Sequence, residues 1–469
     1  MEYIKIPTEI TTNDVALKSY SLSASQYRSI RITNKNRVPL RELLDRPLKP
    51  SDKGIEVGSQ SYISHSPFQF IRVKGIQPES FLPSFSPESV IPILPTSFKN
   101  YSLKEGDILI SKDSNIGEVV LLDRDYPKHM ISGGIYKLPI TKKKYYIFGL
   151  LKSEFFKTQL LFLVSRGVTI KHAKTLFLDC DIPFPNQKNN GEVVKYIESL
   201  VISIINREKG IKESTEVLDK TIWQELTDQK ADIFNYEYPT LENIKKNSRL
   251  DTGTYSKEFK KIDFLIKNYK KGFYFIDSKK IKSGGTPKKR VLGDSDSLKY
   301  LWITPTNITD FGTIGNEEGI TCDKNNLNQN AMLLVNRTSR GGRGKYVGIA
   351  MYYDSALYKK AQYNQGIYRV FGYPDLDLIF MSCFMNSRYM REYCSGLSVG
   401  SKMKEIKASQ FLEIPFPNFS ESKKTEIANT YKDIISLHES IRKMKKYLEK
   451  IVYNLVLGKE IEIDLRILK

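Results

Sequence analysis

Asp181-Ile182-Pro183-Phe184-Pro185-Asn186 and Glu413-Ile414-Pro415-Phe416-Pro417-Asn418 are two copies of one pattern, and each leads straight into a long charged segment with an apolar period. Taking Ile182 from Ile414 leaves an offset of 232 in residue number, about half of the 469-residue chain. Two further pairs keep that spacing: Gly134-Ile135-Tyr136-Lys137 with Gly366-Ile367-Tyr368-Arg369, and Ile147-Phe148 with Ile379-Phe380. Three islands in one register point to an internal duplication, in which two globular domains are each followed by one long helix.

The two periodic segments cover residues 192–228 and 422–458, and at 1.5 Å per residue each would span roughly 55 Å. In the first, Ile197, Val201, Ile204, Glu208, Ile211, Thr215, Leu218 and Ile222 alternate steps of four and three. Ile427, Tyr431, Ile434, His438, Ile441, Lys445, Leu448, Val452 and Leu455 do the same in the second. That alternation is a heptad seam, which buries a narrow stripe against another helix. An antiparallel pairing of the two brings Glu208 opposite Lys445 and Thr215 opposite His438, so that a slipped register strands a charge. Two separate surface helices, each packed on its own core, stay open as the alternative.

The remaining sequence divides into residues 1–187, a lead-in and first domain; 188–240, a central spacer helix; 241–419, the second domain; and 420–469, a C-terminal helix and tail. In the first domain, residues 68–75 alternate, Lys104-Glu105-Gly106-Asp107 is a turn, and Ile108-Leu109-Ile110 is a short buried strand. Pro78, Pro83, Pro87, Pro92 and Pro95 make the intervening stretch an irregular loop. From residue 145 to 164 the spacing lengthens toward a helix. The second domain repeats that order, with strands at 300–303, 332–335 and 346–351 and a helix at 376–393. The class is therefore α+β: two tandem domains of mixed strands and short helices, separated by an antiparallel pair of long helices, with pseudo-twofold organisation.

Forty per cent apolar and 11% aromatic residues describe folded cores. Against 53 Asp and Glu stand 73 Lys and Arg, a net charge of +20, which calls for a polyanionic partner. Cys180, Cys322, Cys383 and Cys394 form no C-x-x-C pattern, so neither a disulfide framework nor a cysteine zinc site is expected. No apolar run reaches the length of a signal-peptide core or a membrane span, which places the protein in the cytoplasm and away from membranes.

Catalytic signatures are missing. There is no G-x-x-x-x-G-K-[ST], no G-x-G-x-x-G opening a helix and no H-E-x-x-H, and His65, His129, His172 and His438 are scattered. The positive signal is basic loops. Asn336-Arg337-Thr338-Ser339-Arg340-Gly341-Gly342-Arg343-Gly344-Lys345 sets cations among glycines, which lets the backbone approach phosphate and leaves arginines free to reach guanine edges. Thr286 and Lys288 sit in a second such loop, Ser283-Gly284-Gly285-Thr286-Pro287-Lys288-Lys289-Arg290. Ser111 and Lys112 open the shorter first-domain counterpart. Lys171 and Lys174 after Gly167, and Lys404 and Lys407 after Gly400, share a spacing that would line one face of a short helix and grip a phosphate backbone.

The combination resembles the specificity subunits of type I restriction-modification systems. Its carriers are Arg249-Leu250-Asp251 before the second domain, Gly284-Gly285-Thr286-Pro287, the Gly-x-x-x-Lys-x-x-Lys elements, the Ile-Pro-Phe-Pro exits, and the paired helices ending in Leu457-Gly458-Lys459. The resemblance implies two target-recognition domains, each reading half of a bipartite site on double-stranded DNA, with the helices as spacer. It implies two methyltransferase subunits and restriction-translocase subunits as partners. Catalysis, with S-adenosylmethionine, ATP and magnesium, would lie in those partners and no cofactor in this chain. The first domain departs from the pattern, because Leu48-Lys49-Pro50-Ser51-Asp52-Lys53-Gly54 stands in place of Gly-Gly-Thr-Pro. Two other classes stay open: a coiled-coil architectural protein that binds DNA without preference, and a nuclease or methyltransferase with an unrecognised site.

Overall fold

The computed structural model describes all residues except 1–2, 18–19, 21–26, 86–88, 165–172, 229–232, 248, 251, 289, 293–299, 315–319, 323–325, 338–346, 359, 401–403 and 469. The chain forms two compact units, the first made of residues 1–210 with 440–469 and the second of 211–439. The long helices are Asn190–Thr227 and Glu421–Leu457, and each contributes residues to both units. The second ends where Gly458 takes φ +67 and the amides of Gly458 and Lys459 bond back to the carbonyls of Leu455 and Asn454. A glycine in the left-handed region with those two bonds is the standard way to satisfy orphaned helix carbonyls.

Unit 1 holds two three-stranded sheets. Gln69–Ile71 lies between Val90–Pro92, antiparallel, and His129–Ile131, parallel; Ile108–Ser111 lies between Val119–Leu121 and Ile135–Leu138, both antiparallel. Strands 108–111 and 119–121 are wholly buried, as their unbroken apolar runs require. Unit 2 repeats the plan. Tyr300–Ile303 pairs parallel with Ala361–Tyr363, in the register Leu301 to Ala361, which is the pair Gln69 to His129 moved by the duplication offset. Ala331–Val335 takes the central place of the other sheet, between Ala350–Tyr353 and Ile367–Val370.

One expected helix in each unit is two. Lys144–Leu151 and Glu154–Leu163 break at Ser153, and Asp375–Asn386 and Arg388–Leu397 break at Ser387. Both serines adopt extended backbone and accept a hydrogen bond from the amide three residues on, Phe156 or Met390. The apolar period continues across the break, but a serine that can cap offers the chain a turn. The strand expected over 346–351 is found at Ala350–Tyr353.

The supposed absence of the glycine element from the first domain is corrected by the backbone. Gly284 N–H bonds to Ile367 O, and Gly285 N–H to Tyr363 O. Gly54 N–H bonds to Ile135 O, and Ile55 N–H to Ile131 O, which are the same two acceptors one duplication offset earlier. Gly54 therefore occupies the place of Gly284. A Cβ on Gly54 would lie 2.1 Å from the carbonyl oxygen of Ser132, and one on Gly284 2.2 Å from that of Asn364. Backbone cannot yield as a side chain can, so Gly54→Ala and Gly284→Ala should each destabilise by about 1–3 kcal/mol. Gly191, whose Cβ would meet nothing, should tolerate alanine. Thermal unfolding of the three variants checks this; a neutral Gly54→Ala would break the equivalence.

Candidate nucleic-acid interface

The expected basic loops meet on one backbone ladder in each unit. In unit 1, Lys112 N–H bonds to Gly134 O and Ala173 N–H to Lys112 O; in unit 2, Asn336 N–H bonds to Gly366 O and Ile406 N–H to Asn336 O. The loops close identically, with Gly117 N–H on Ser111 O and Gly348 N–H on Val335 O, both glycines at positive φ. Between these fixed points the first unit has the five residues 112–116, and the second the twelve residues 336–347. Residues 173–174 and 404–407 thus lie beside the loops that follow the buried strands.

The side chains differ where the backbone does not. A Cβ on Gly134 would lie 3.4 Å from Asp113 Oδ2, and one on Gly366 3.2 Å from Arg337 Nε. Positions 113 and 337 are therefore equivalent, with opposite charge. Lys112 forms an ion pair with Asp113 and is mostly covered. Ser111 corrects the sequence reading: it is fully buried and its hydroxyl donates to Asp113 O at 2.8 Å, so it cannot touch DNA. Thr286 and Lys288 are exposed, Arg337 is half-buried, and Lys174, Lys404 and Lys407 are exposed. Lys404 Nζ donates to Ser395 Oγ at 2.9 Å.

Lys404 and Lys407 do not line a helix face, and Lys174 is not helical. Lys174 has φ +47, and Lys407 is extended, capping Ala408–Phe411 with its amide on Gln410 Oε1 at 2.8 Å. Lys171, Arg340, Arg343 and Lys345 lie outside the described residues.

Along the helices, Ile197, Val201, Ile204, Ile441, Leu448 and Val452 are buried in unit 1, and Ile211, Leu218, Ile222 and Ile434 in unit 2. Leu200, Ile205, Met444 and Ile451 are buried as well, so the covered face is wider than a seam. The short helices of each unit press on it: a Cβ on Gly149 would sit 2.6 Å from Val201 Cγ2.

In unit 1 the helices run antiparallel, with Gln187 bonded to Ile461 at one end and Glu208 Oε1 2.6 Å from Lys445 Nζ farther along. The pair also fastens a loop. Glu208 Oε2 accepts from Ser80 Oγ, Phe81 N and Leu82 N at 2.8 to 3.1 Å, while Lys445 Nζ donates to Glu79 O. Lys152, absent from the sequence expectations, is buried beside them and donates to the carbonyls of Gln77, Ser80 and Val119. A lone lysine in the apolar run Phe148-Gly149-Leu150-Leu151-Lys152 was the available signal. In unit 2, Thr215 donates to Ile211 O on its own helix, and the His438 ring lies 4.6 Å from that of Phe311.

Burial alone pushes the Glu208 carboxyl up, but the Lys445 ammonium, its hydrogen bonds and the field of Lys152 bring it below the ordinary value. Burial drives Lys152 down to about 7, with Lys157 and Lys445 adding repulsion. Lys445→Met should destabilise by about 3–5 kcal/mol, because it leaves a buried carboxylate unpaired. The sign with pH follows. Glu208 stabilises the parent above the ordinary carboxylate value, and that stability is lost as pH falls through its depressed folded value. In the variant burial raises the folded value instead, so ionisation destabilises it. The stability gap between parent and variant should therefore be widest near neutral pH and close on acidification, as denaturant titrations across pH would show; a gap that stays constant would mean the contact is not ionic.

Among the described residues no group of three or more His, Cys, Asp or Glu could hold a metal ion, and no helix is long and apolar enough to cross a membrane. Residues 67–217 match a family model described as the type I restriction modification DNA specificity domain. Among solved structures, the S subunit of a type I restriction-modification system from M. genitalium is 13% identical, covering 91% of this chain and 96% of its own, with a TM-score of 0.43. A chain solved in work on complex assembly and conformational transition of the type I R-M system is 12% identical (90% and 98% covered, TM-score 0.29). The HsdS subunit from Thermoanaerobacter tengcongensis is 12% identical (89% and 99%, TM-score 0.26). No curated protein matches.

Proposed function

We propose that the chain, whose residues 67–217 match the type I restriction modification DNA specificity domain, is a specificity subunit whose two units read the two halves of a split DNA target for partner subunits. The observation that carries this reading is the repeat of the unit 1 strand pairing in unit 2, in the same register, around a loop of different length and charge. A backbone common to both units with divergent loops suits two readers of different sequences. Phosphate contacts would position each unit and base contacts would specify.

The chain would supply the address, and partner methyltransferase and restriction-translocase subunits the chemistry, with S-adenosylmethionine, ATP and magnesium bound there. Arg337 is the described residue best suited to base reading in unit 2, as a guanidinium can take a guanine edge with two hydrogen bonds. Arg337→Ala should relax base choice in one half of the target, at about 1–3 kcal/mol for a bidentate contact. Lys404→Ala should weaken all duplexes alike. Measuring binding to randomised half-sites separates the two; a uniform loss for Arg337→Ala would remove it from base reading.

The function itself is tested by the adenine methylome of cells with and without this gene. Loss of one split methylated motif is the expected result, and an unchanged methylome would overturn the reading.

A further inference from the structure

The duplication provides an internal control for every surface, because each position of one unit has a counterpart in the other. At the outer strand of one of the second unit's two four-stranded sheets, the sheet centred on Ala331–Val335, that comparison shows a cluster of cations with no electrostatic counterpart in the first. Ile281–Ser283 pairs antiparallel with Ile367–Val370, which sets Lys282 directly opposite Arg369. Like charges at opposed positions of an antiparallel pair destabilise it. Lys280 ends the short helical turn Ser278–Lys280 that leads directly into this strand.

The cations are held in place by rings. Lys280 Nζ lies 4.1 Å from the centre of Tyr373, Lys282 Nζ 5.3 Å from that of Phe371, and the Arg369 guanidinium 4.9 Å from the same Phe371, just past the end of its own strand. Arg369 is 9% exposed; one of its terminal nitrogens donates to Asn326 O, while its buried Nε has no hydrogen-bond partner among the described residues. Asp277 is the near carboxylate in sequence, and it accepts the Lys279 amide. The unpaired donor thus belongs to one of three neighbouring cations whose mutual repulsion an anion would relieve.

In the first unit the same place is neutralised. Gly54 corresponds to Gly284, and the bridge from Lys53 to Tyr136 matches that from Ser283 to Tyr368. Asp52 then stands where Lys282 does, opposite Lys137 where Arg369 does. Asp52 is buried and held by Arg46 in two hydrogen bonds of 2.6 and 2.8 Å, and Lys137 Nζ is 3.0 Å from Asp107. Pro139 and Thr141 replace Phe371 and Tyr373 at the duplication offset, so the aromatic support is gone too.

We propose that Lys280, Lys282 and Arg369, backed by Phe371 and Tyr373 at this sheet edge, form a phosphate site that grips the DNA backbone in the second unit alone. The proposal rests on the reading of the chain as a DNA-binding protein and assigns its backbone contacts unequally: Lys280 and Lys282 hold phosphate without reading bases. The glycine loop at 284–286 continues directly from this edge, so the grip lies beside the basic Thr286 and Lys288.

The test is the salt dependence of binding by the full chain to a duplex carrying its target and to an unrelated duplex. Lys280→Gln with Lys282→Gln, both on the surface, should flatten the plot of log affinity against log salt by about 1.8, two phosphate contacts at about 0.9 each. The ratio between target and unrelated duplex should stay as in the parent. Lys432→Gln with Lys446→Gln removes the same charge from exposed helix positions and should leave the slope unchanged. An unchanged slope in the edge variant, an equal fall in the helix control, or a changed base preference would each overturn the site. A parent chain with no preference between duplexes would sink the specificity reading while the slope comparison still decides the phosphate site.

Discussion

Glu208 brings a charge to a place that water barely reaches, and much of the first unit's organisation answers it. Its carboxylate takes an ammonium from the second long helix and three donors from residues 80–82, so one side chain joins two helices and a loop. Such an arrangement adds little net stability over a well-packed apolar one, since desolvation offsets most of the attraction. What it does impose is place. Any other loop position or helix register leaves the carboxylate, Lys445 or Lys152 without partners, at a penalty of several kcal/mol, while an apolar contact would tolerate sliding.

The second unit meets the corresponding junction with neutral groups and one guanidinium. Residues 309–313 are the counterparts of residues 77–81, and Gly312 there is packed against Ala350 O, Asn386 Nδ2 and the Tyr431 hydroxyl. Asn386 donates to Ala350 O and Tyr431 Oη, and Arg391 donates to the carbonyls of Asp310 and Asn386. The polar interruptions of the helical period are thus positions where a unit's own loop docks. Lys445 serves both purposes, meeting Glu208 on the other helix and Glu79 O in the loop.

That double duty explains what could and could not be read from sequence. The exits and helices were legible because a period survives any change of side chain that keeps its apolar phase. The partners of Glu208 were not, since its loop donors lie 126 to 128 residues away and no periodicity links them. Gly54 was passed over because Gly284 falls short of the common offset from it, and its neighbours share no residues with Gly-Gly-Thr-Pro. Only the carbonyls it faces reveal the match. The helix breaks were hidden by an apolar pattern that runs unbroken through Ser153 and Ser387. For the candidate interface, the basic composition was visible, but the ion pair at Lys112 and the burial of Ser111 depend on the fold.

The ladders that define each interface are made by main-chain groups, and main-chain hydrogen bonds do not depend on the side chain beside them. Lys112 and Asn336 make the same two bonds, and Gly54 and Gly284 donate to matching acceptors. Charge can therefore be exchanged at positions 113 and 337, or 52 and 282, without disturbing the sheet that carries it. Asp52 and Lys137 are each neutralised by a neighbour, Arg46 and Asp107, whereas Lys282 with Arg369 is repulsive until an anion arrives. Two copies of one scaffold can in this way diverge in what they bind while the constraints on their backbones stay the same. The glycines record those constraints: where a Cβ would meet a carbonyl oxygen 2.1 or 2.2 Å away, both units keep glycine, and beside it nearly everything else has changed.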